Sequence, residues 1–307
     1  MLSWRYILSK TLRLFVTVFL IVSFVFVLVR IIPGDPATVI AGPDARAADV
    51  ELIRVRLGTD RPLLFQYGAW ILSTLRLDFG TSFFSGEPAL DLIRERLPLT
   101  LRLSASAFLL SLLIGAALGI PAGMKQGGSL DLLLAGPSHL LLAVPEFWLG
   151  ILLLLALSVQ VSAFPLFGYE GWISLVLPTV ALALGRGAVL ARYIRSSLGA
   201  ELQREYVTAA RVRGLSPARV VLLHAAPNAL LPVITIAAIQ LGYLIGGVVI
   251  IENVFSLPGI GRLLLSSIFR RDYPVIQAAV MLSAVAFSLA NFVADLLYGL
   301  ADPRLRG

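Results

Sequence analysis

The chain contains no cysteine, which excludes a disulfide framework, a thiolate metal site and a cysteine nucleophile. Charged residues are scarce, 14% of 307, against about 25% in an average soluble domain. Lysine is nearly absent: Lys10 and Lys125 are the only two, so 23 of the 25 basic residues are arginine. Neither lysine follows glycine and precedes serine or threonine, so there is no P-loop; if the protein works with ATP, another chain binds it. Histidine occurs twice, at His139 and His224, and neither belongs to an HExxH pattern. A GxSxG elbow is also missing. What is present is apolar. Hydrophobic residues make up 58% and mean hydropathy is +0.90. These values exclude disorder and argue against a soluble enzyme. The net charge of +7 fits arginine gathered on one membrane face better than a nucleic-acid surface.

Crossing the roughly 30 Å hydrocarbon core takes about 20 mainly apolar residues in a helix. Six segments qualify: Thr11–Ile32, Leu103–Met124, Leu132–Leu157, Trp172–Leu190, Ala229–Ile251 and Val275–Leu297. The expected fold is therefore an all-α integral membrane protein with six spans and both termini on one side. With the N-terminus cytoplasmic, twelve basic residues of the short loops fall inside, six of them between Arg192 and Arg219. Three fall outside: Arg262, Arg270 and Arg271. This bias sets the orientation. The first span has the basic flank of a signal peptide, but its uncharged stretch Leu14–Val29 is longer than the usual 7–15 residues and no small-residue cleavage site follows. It reads as an uncleaved anchor, ending at the turn Pro33-Gly34-Asp35-Pro36.

The chain thus divides into residues 1–32, an extracytoplasmic segment 33–102, and a core 103–307 with five spans. The outer segment holds Trp70, Tyr67 and many leucines, too apolar for a solvated linker, and reads as a cap of short helices that includes Glu51–Leu57. Glycines crowd the second span (Gly115, Gly119, Gly123) and the fifth (Gly242, Gly246, Gly247), which permits close helix approach in lipid. No internal repeat is visible.

Charges inside spans are functional candidates, because burying them in hydrocarbon is costly. Glu146, after Pro145 in span three, either lines a pathway or is a protonated or paired carboxylate. Gln240, Glu252 and Asn253 are further pathway candidates on or just after span five. Asp295 is expected to pair with an inner-face arginine, and Arg186 to snorkel to the cytoplasmic interface.

The inner segment 195–228 reads as two short helices. Glu201–Arg213 ends at Gly214, and Ser216-Pro217 opens a second helix running to about Ala226. Leu202, Tyr206, Ala209 and Ala210 are expected on one face. The pattern alone fits either a helix pair on anionic lipid or one inserted in a partner's groove.

Glu205-Tyr-Val-Thr-Ala-Ala-Arg-Val-Arg-Gly214 and His224-Ala-Ala-Pro-Asn228 resemble the cytoplasmic "EAA" loop of ABC importer permeases, in the variant of the dipeptide/oligopeptide/nickel family. Ile32-Pro-Gly-Asp-Pro-Ala37, Leu77-Asp-Phe-Gly-Thr-Ser82, Pro145-Glu-Phe-Trp148, Glu252-Asn-Val-Phe-Ser-Leu-Pro-Gly259, Arg271-Asp-Tyr-Pro274 and Asp302-Pro-Arg304 are similar to that family too, so the resemblance covers nearly the whole chain. Pro227 departs from the family pattern and implies an early end to the second helix. The short outer segment Ser158–Gly171 is closer to nickel or metal-chelate members.

The resemblance implies a multi-pass subunit of a bacterial-type inner membrane, with no catalytic residue and no cofactor in this chain, ATP and magnesium being held by partner ATPases. It implies a homologous second permease, two cytoplasmic ATPases and an extracytoplasmic solute-binding protein as partners, and no nucleic acid. Glu205, Thr208, Ala209, Ala210, Gly214, His224 and Asn228 would couple to an ATPase. The cargo would be a short peptide, nickel, a metal chelate or an opine. The alternative is a proton-coupled secondary transporter titrating Glu146 or Asp295.

Overall fold

A computed structural model describes residues 4–31 and 34–301. Ile32, Pro33, the Asp302-Pro-Arg304 motif and the side chains of His139 and Asp295 lie outside the described parts. The described residues are helical apart from connecting turns and one isolated bridge pair, Thr81 with Pro88. The helices are α1 (Trp4–Ile31), α2 (Pro36–Ala41), α3 (Ala47–Leu57), α4 (Leu63–Leu75), α5 (Ala89–Met124), α6 (Ser129–Ala143), α7 (Glu146–Leu153), α8 (Ile173–Leu202), α9 (Glu205–Val212), α10 (Pro217–Arg219), α11 (Ala226–Val254), α12 (Ile260–Arg270) and α13 (Tyr273–Ala301). Wider π-helical turns occupy Leu154–Gln160 and Val220–Ala225.

Five helical segments are long and apolar enough to cross a membrane, and a bent pair supplies a sixth crossing if it counts as one span. That pair is a correction to the expected third span, which is not one helix. Asp131–Ala143 and Glu146–Gln160 meet at 101°. The cause is Pro145: it has no N–H, and its ring drives the preceding residue out of the helical region. Val144 is extended at φ −97°, ψ 122°. Glu146 therefore stands in the first turn of α7 rather than mid-helix, where the helix dipole favours a carboxylate. The second span also differs, since α5 begins at Ala89, inside the segment assigned to the outer cap.

The chain forms two compact units. One comprises Met1–Thr11, Leu101–Leu257 and Leu289–Gly307. Its centre is α8, packed against α6, α7 and α11. Here α5 meets α8 along Gly115, Gly119 and Gly123. A Cβ at Gly119 would lie 2.6 Å from the Ala191 carbonyl oxygen and one at Gly115 2.7 Å from Leu190 Cβ. From the other side, a Cβ at Gly187 would lie 2.6 Å from Ile114. Two helices reach such a separation in lipid only where glycine removes the side chain.

The second unit comprises Leu12–Thr100 and Pro258–Ser288. Ala89 and Ile93 pack with Ile260, Val275, Ala278 and Ala279. Two motifs 190 residues apart in sequence meet here. Ser82 Oγ donates to Asp272 Oδ2, and the Phe83 N–H donates to Asp272 Oδ1 at 3.0 Å. Burial pushes the Asp272 carboxyl up, opposed by these hydrogen bonds. Asp35 caps α2 through the Ala37 N–H (2.9 Å) and pairs with Arg54 at 2.6 Å, which ties the turn after α1 to α3. Helix α4 lies on α1, with Tyr67 and Trp70 against Phe26 at 5.0 and 5.4 Å between ring centroids.

Candidate functional site

The first unit holds three constellations. The outermost is the segment after α8. Its first helix is shorter than expected: Glu201 and Leu202 finish α8, the chain turns at Gln203-Arg204, and α9 begins at Glu205. That turn resets the helical phase, so the expected face is only half right. Leu202 and Ala210 are buried, whereas Tyr206 and Ala209 are exposed. The buried partner on α9 is Val207, one turn from Ala210. Both pack with Leu198, Val220, Val221, Ala225 and Ala229.

Gly214 ends α9 at φ +80°. Its N–H bonds the Arg211 carbonyl at 2.9 Å, and the Leu215 N–H bonds that of Ala210 at 3.4 Å. This double bond pattern with an apolar follow-up residue is the Schellman termination; Leu215 packs onto the same buried cluster. A Cβ at Gly214 would meet nothing within 4 Å, so glycine is required there by backbone conformation and not by space.

The second helix of the segment does not end at Pro227. It opens at Pro217, widens through Val220–Ala225 and continues as α11. A proline lacks the N–H for the carbonyl four residues back and crowds it, and the wider turn just before Pro227 relieves that crowding. Half-buried His224 sits on this turn. Asn228 Nδ2 donates to Tyr206 Oη at 3.0 Å, and Tyr206 donates to Glu201. These bonds staple α9 to α8 and α11. Glu205, Thr208, Ala209, Arg211 and Val212 remain on the open side.

The second constellation went unnoticed in the sequence. Asp131, 3% exposed, accepts Arg195 Nε on one oxygen and Arg195 Nη2 (2.7 Å) and the Gly127 N–H (2.9 Å) on the other. Gln126 adds a bond to the Arg195 carbonyl at 2.8 Å. This bidentate clasp fixes the start of α6 to α8 two turns before the α9 junction. The signal available was a lone acid four residues after Gly127. Asp131→Asn removes the charge and half of the fork; the expected result is a lower melting temperature of the purified assembly.

The third lies deeper. Arg186 is 4% exposed and does not snorkel to the interface. Its Nη2 donates to Glu146 Oε2 (3.0 Å) and to the Tyr243 carbonyl (3.2 Å), and its Nη1 to the Gln240 carbonyl (3.1 Å). The pair needs Gly247, because a Cβ there would lie 2.6 Å from Nη2 and 2.7 Å from Glu146 Oε2. A buried guanidinium in hydrocarbon needs a counter-ion and acceptors, and α7 and α11 provide both. Two pathway candidates, Glu146 and Gln240, are thus brought together through Arg186. The other two are not: Glu252 is fully buried on the last turn of α11, and Asn253 donates to its own helix at the Val249 carbonyl (2.7 Å).

Residues 115–307 match the family described as binding-protein-dependent transport system inner membrane component, and residues 1–104 match the N-terminal membrane component of the same systems. The chain is 38% identical over 302 residues to the glutathione transport system permease protein GsiC of Escherichia coli K12, covering 98% of this chain and 99% of that one. The Salmonella typhimurium LT2 protein of the same name is 39% identical over the same coverage. The fold is similar to a chain of the MetNI methionine ABC transporter, with a TM-score of 0.59 at 19% identity over 69% of this chain and 97% of that one. It is also similar to an amino acid ABC transporter crystallised with histidines, with a TM-score of 0.53 at 19% identity, over 70% and 94%.

Proposed function

Because the chain belongs to the binding-protein-dependent transport system inner membrane components and is the permease subunit of an ABC importer, we propose that it pairs with a second, homologous permease and couples to cytoplasmic ATPases through residues 195–228. A solute-binding protein on the other side would deliver the cargo. The observation that carries the coupling role is the anchoring of α9. Val207 and Ala210 are locked onto α8 and α11, while Glu205, Thr208, Ala209 and Arg211 face outward. A push on the outward side is therefore passed to two membrane spans and is not absorbed by a loose loop. Exposed Ala209 lets a partner surface approach closely. ATP drives the transport switch only to the extent that the ATPases bind the two states of the permease differently.

The cargo we infer is a short peptide. Support comes from the two glutathione permeases, similar along their whole length. Nickel, a metal chelate or an opine are the competing cargoes. Soaking the cognate binding protein with glutathione, a dipeptide and a nickel chelate in turn, read by thermal shift, separates them; a shift with the chelate alone overturns the peptide reading. Membership of the ABC importer permeases speaks against the proton-coupled alternative, and of its two candidate groups Glu146 is paired with Arg186.

Gly214→Val tests the coupling role. A β-branched residue in the left-handed region costs about 1–2 kcal/mol, enough to distort the turn but not to unfold the assembly. The expected result is an intact complex whose substrate-stimulated ATP hydrolysis falls severalfold. Unchanged stimulation would remove the segment from the coupling path.

A further inference from the structure

The second unit contains a recess that the transport reading does not use. A cleft of about 600 Å³ opens beside the end of α1. Its polar lining includes Arg30, Arg56, Arg61, Trp70, Asp78 and Gln277. Three cations face one acid, and none of the three arginines has an ion-pair partner among the described residues. Gln277 is 4% exposed, yet its Nε2 has no hydrogen-bond partner, and neither has the indole N–H of Trp70. Buried donors of this kind are normally satisfied; here both belong to the wall of a cleft.

A second, apolar groove of about 240 Å³ adjoins it along α1, lined by Val27, Ile31, Leu63 and Leu64 among others. Arg30 lines both recesses. Its Nε donates to Gln66 Oε1 (3.0 Å) and its Nη1 to the Phe26 carbonyl (3.2 Å), which holds the guanidinium in place; Nη2 takes part in neither bond. Helix α4, which forms the far wall of the groove, is a 13-residue apolar helix. It is too short to cross a bilayer. Leu63, Leu64, Phe65, Leu72 and Leu75 are nevertheless exposed. Lying beside the end of a membrane span with Tyr67 and Trp70 on it, α4 has the character of an interfacial helix.

We propose that this pair of recesses binds an anionic phospholipid, with the phosphodiester at Arg30, Arg61 and the Gln277 amide and an acyl chain in the groove along α1. The cleft supplies charge-assisted donors for the phosphate, and the groove supplies an apolar track that leads out along the span. A free phosphate would use the first recess and leave the second without a role. Bound lipid would fix α4 onto α1 and so stiffen the cap around the end of that span.

The test uses the whole importer, purified with its partner chains and delipidated in detergent, with lipid retention read by native mass spectrometry. Dioleoylphosphatidylglycerol, dioleoylphosphatidylcholine and inorganic phosphate are titrated separately and in competition. The expected result is preferential retention of phosphatidylglycerol, weakened about fivefold by Arg30→Gln, a figure that follows from the typical worth of one arginine near an anionic headgroup. Arg61→Glu should weaken it at least as much; Arg61 is exposed, so this variant decides the matter even if Arg30→Gln fails to assemble. Equal retention of the two lipids, undiminished retention in both variants, or full displacement by inorganic phosphate overturns the proposal. Displacement by the transported peptide would also overturn it, assigning the cleft to cargo.

Discussion

Gly119→Leu is expected to abolish accumulation of the folded protein. The first atom added would sit 2.6 Å from the Ala191 carbonyl oxygen and 2.8 Å from Ile194 Cβ. The obstruction is largely backbone of α8 and cannot be relieved by a rotamer change. Ordinary overpacking costs about 1–3 kcal/mol; here two long helices must separate, so the loss should reach or exceed the top of that range. Detergent-extracted yield and the melting temperature of what remains report the effect. Gly136→Leu is the control, because a Cβ there would meet nothing within 4 Å. Equal yields of the two variants would show that α5 and α8 do not pack as described.

The second large effect concerns the buried pair. Glu146→Ala leaves Arg186 with carbonyl acceptors but no counter-ion, and breaking a buried pair in this way costs about 3–5 kcal/mol. Arg186→Met leaves Glu146, a less severe case, because its side chain keeps 28% exposure. The double variant Glu146→Leu with Arg186→Met should recover most of the lost stability, since both charges disappear together. If transport stays low in the recovered double variant, the pair does more than hold α7, α8 and α11 in place. If transport returns with stability, the pair is structural and Glu146 leaves the list of pathway candidates. Gly247→Val should behave like Glu146→Ala, because its side chain would occupy the seat of the pair.

The helical membrane class was legible from hydropathy alone, and the permease family from the motifs around Glu205–Gly214 and His224–Asn228. The differences have two origins: local breaks that interrupt a helix, and residues that meet only across helices. Arg186 reads as interfacial because the arginines from Arg192 onward put the span's end at Leu190, while α8 in fact runs unbroken to Leu202. Its partner stands 40 residues earlier, and no local period links them. The bend at Val144 had a visible cause in Pro145 but was hidden inside a run of leucines. A continuous helical period gives the wrong face for α9, because a two-residue turn at Gln203-Arg204 rotates everything after it. The clasp at Asp131 could not be anticipated, since a single acid beside a loop is an ordinary solvated residue until a neighbouring helix is placed on it.

The length of α8 has one more consequence. At 1.5 Å per residue its 30 residues extend about 45 Å, well past a hydrocarbon core of about 30 Å. Its two arginine pairs therefore sit in different media. Each pair joins a buried group to a partly exposed one, Arg186 to Glu146 and Asp131 to Arg195, and Arg195 stands about 14 Å further along the axis than Arg186. The second pair stands nearer the end of α8 that overhangs the hydrocarbon core, where dissolved ions screen charge more effectively. Raising ionic strength should therefore soften the junction that leads to α9 more than the pairing among α7, α8 and α11, so that salt acts on the transmission of force before it acts on the packing of the spans.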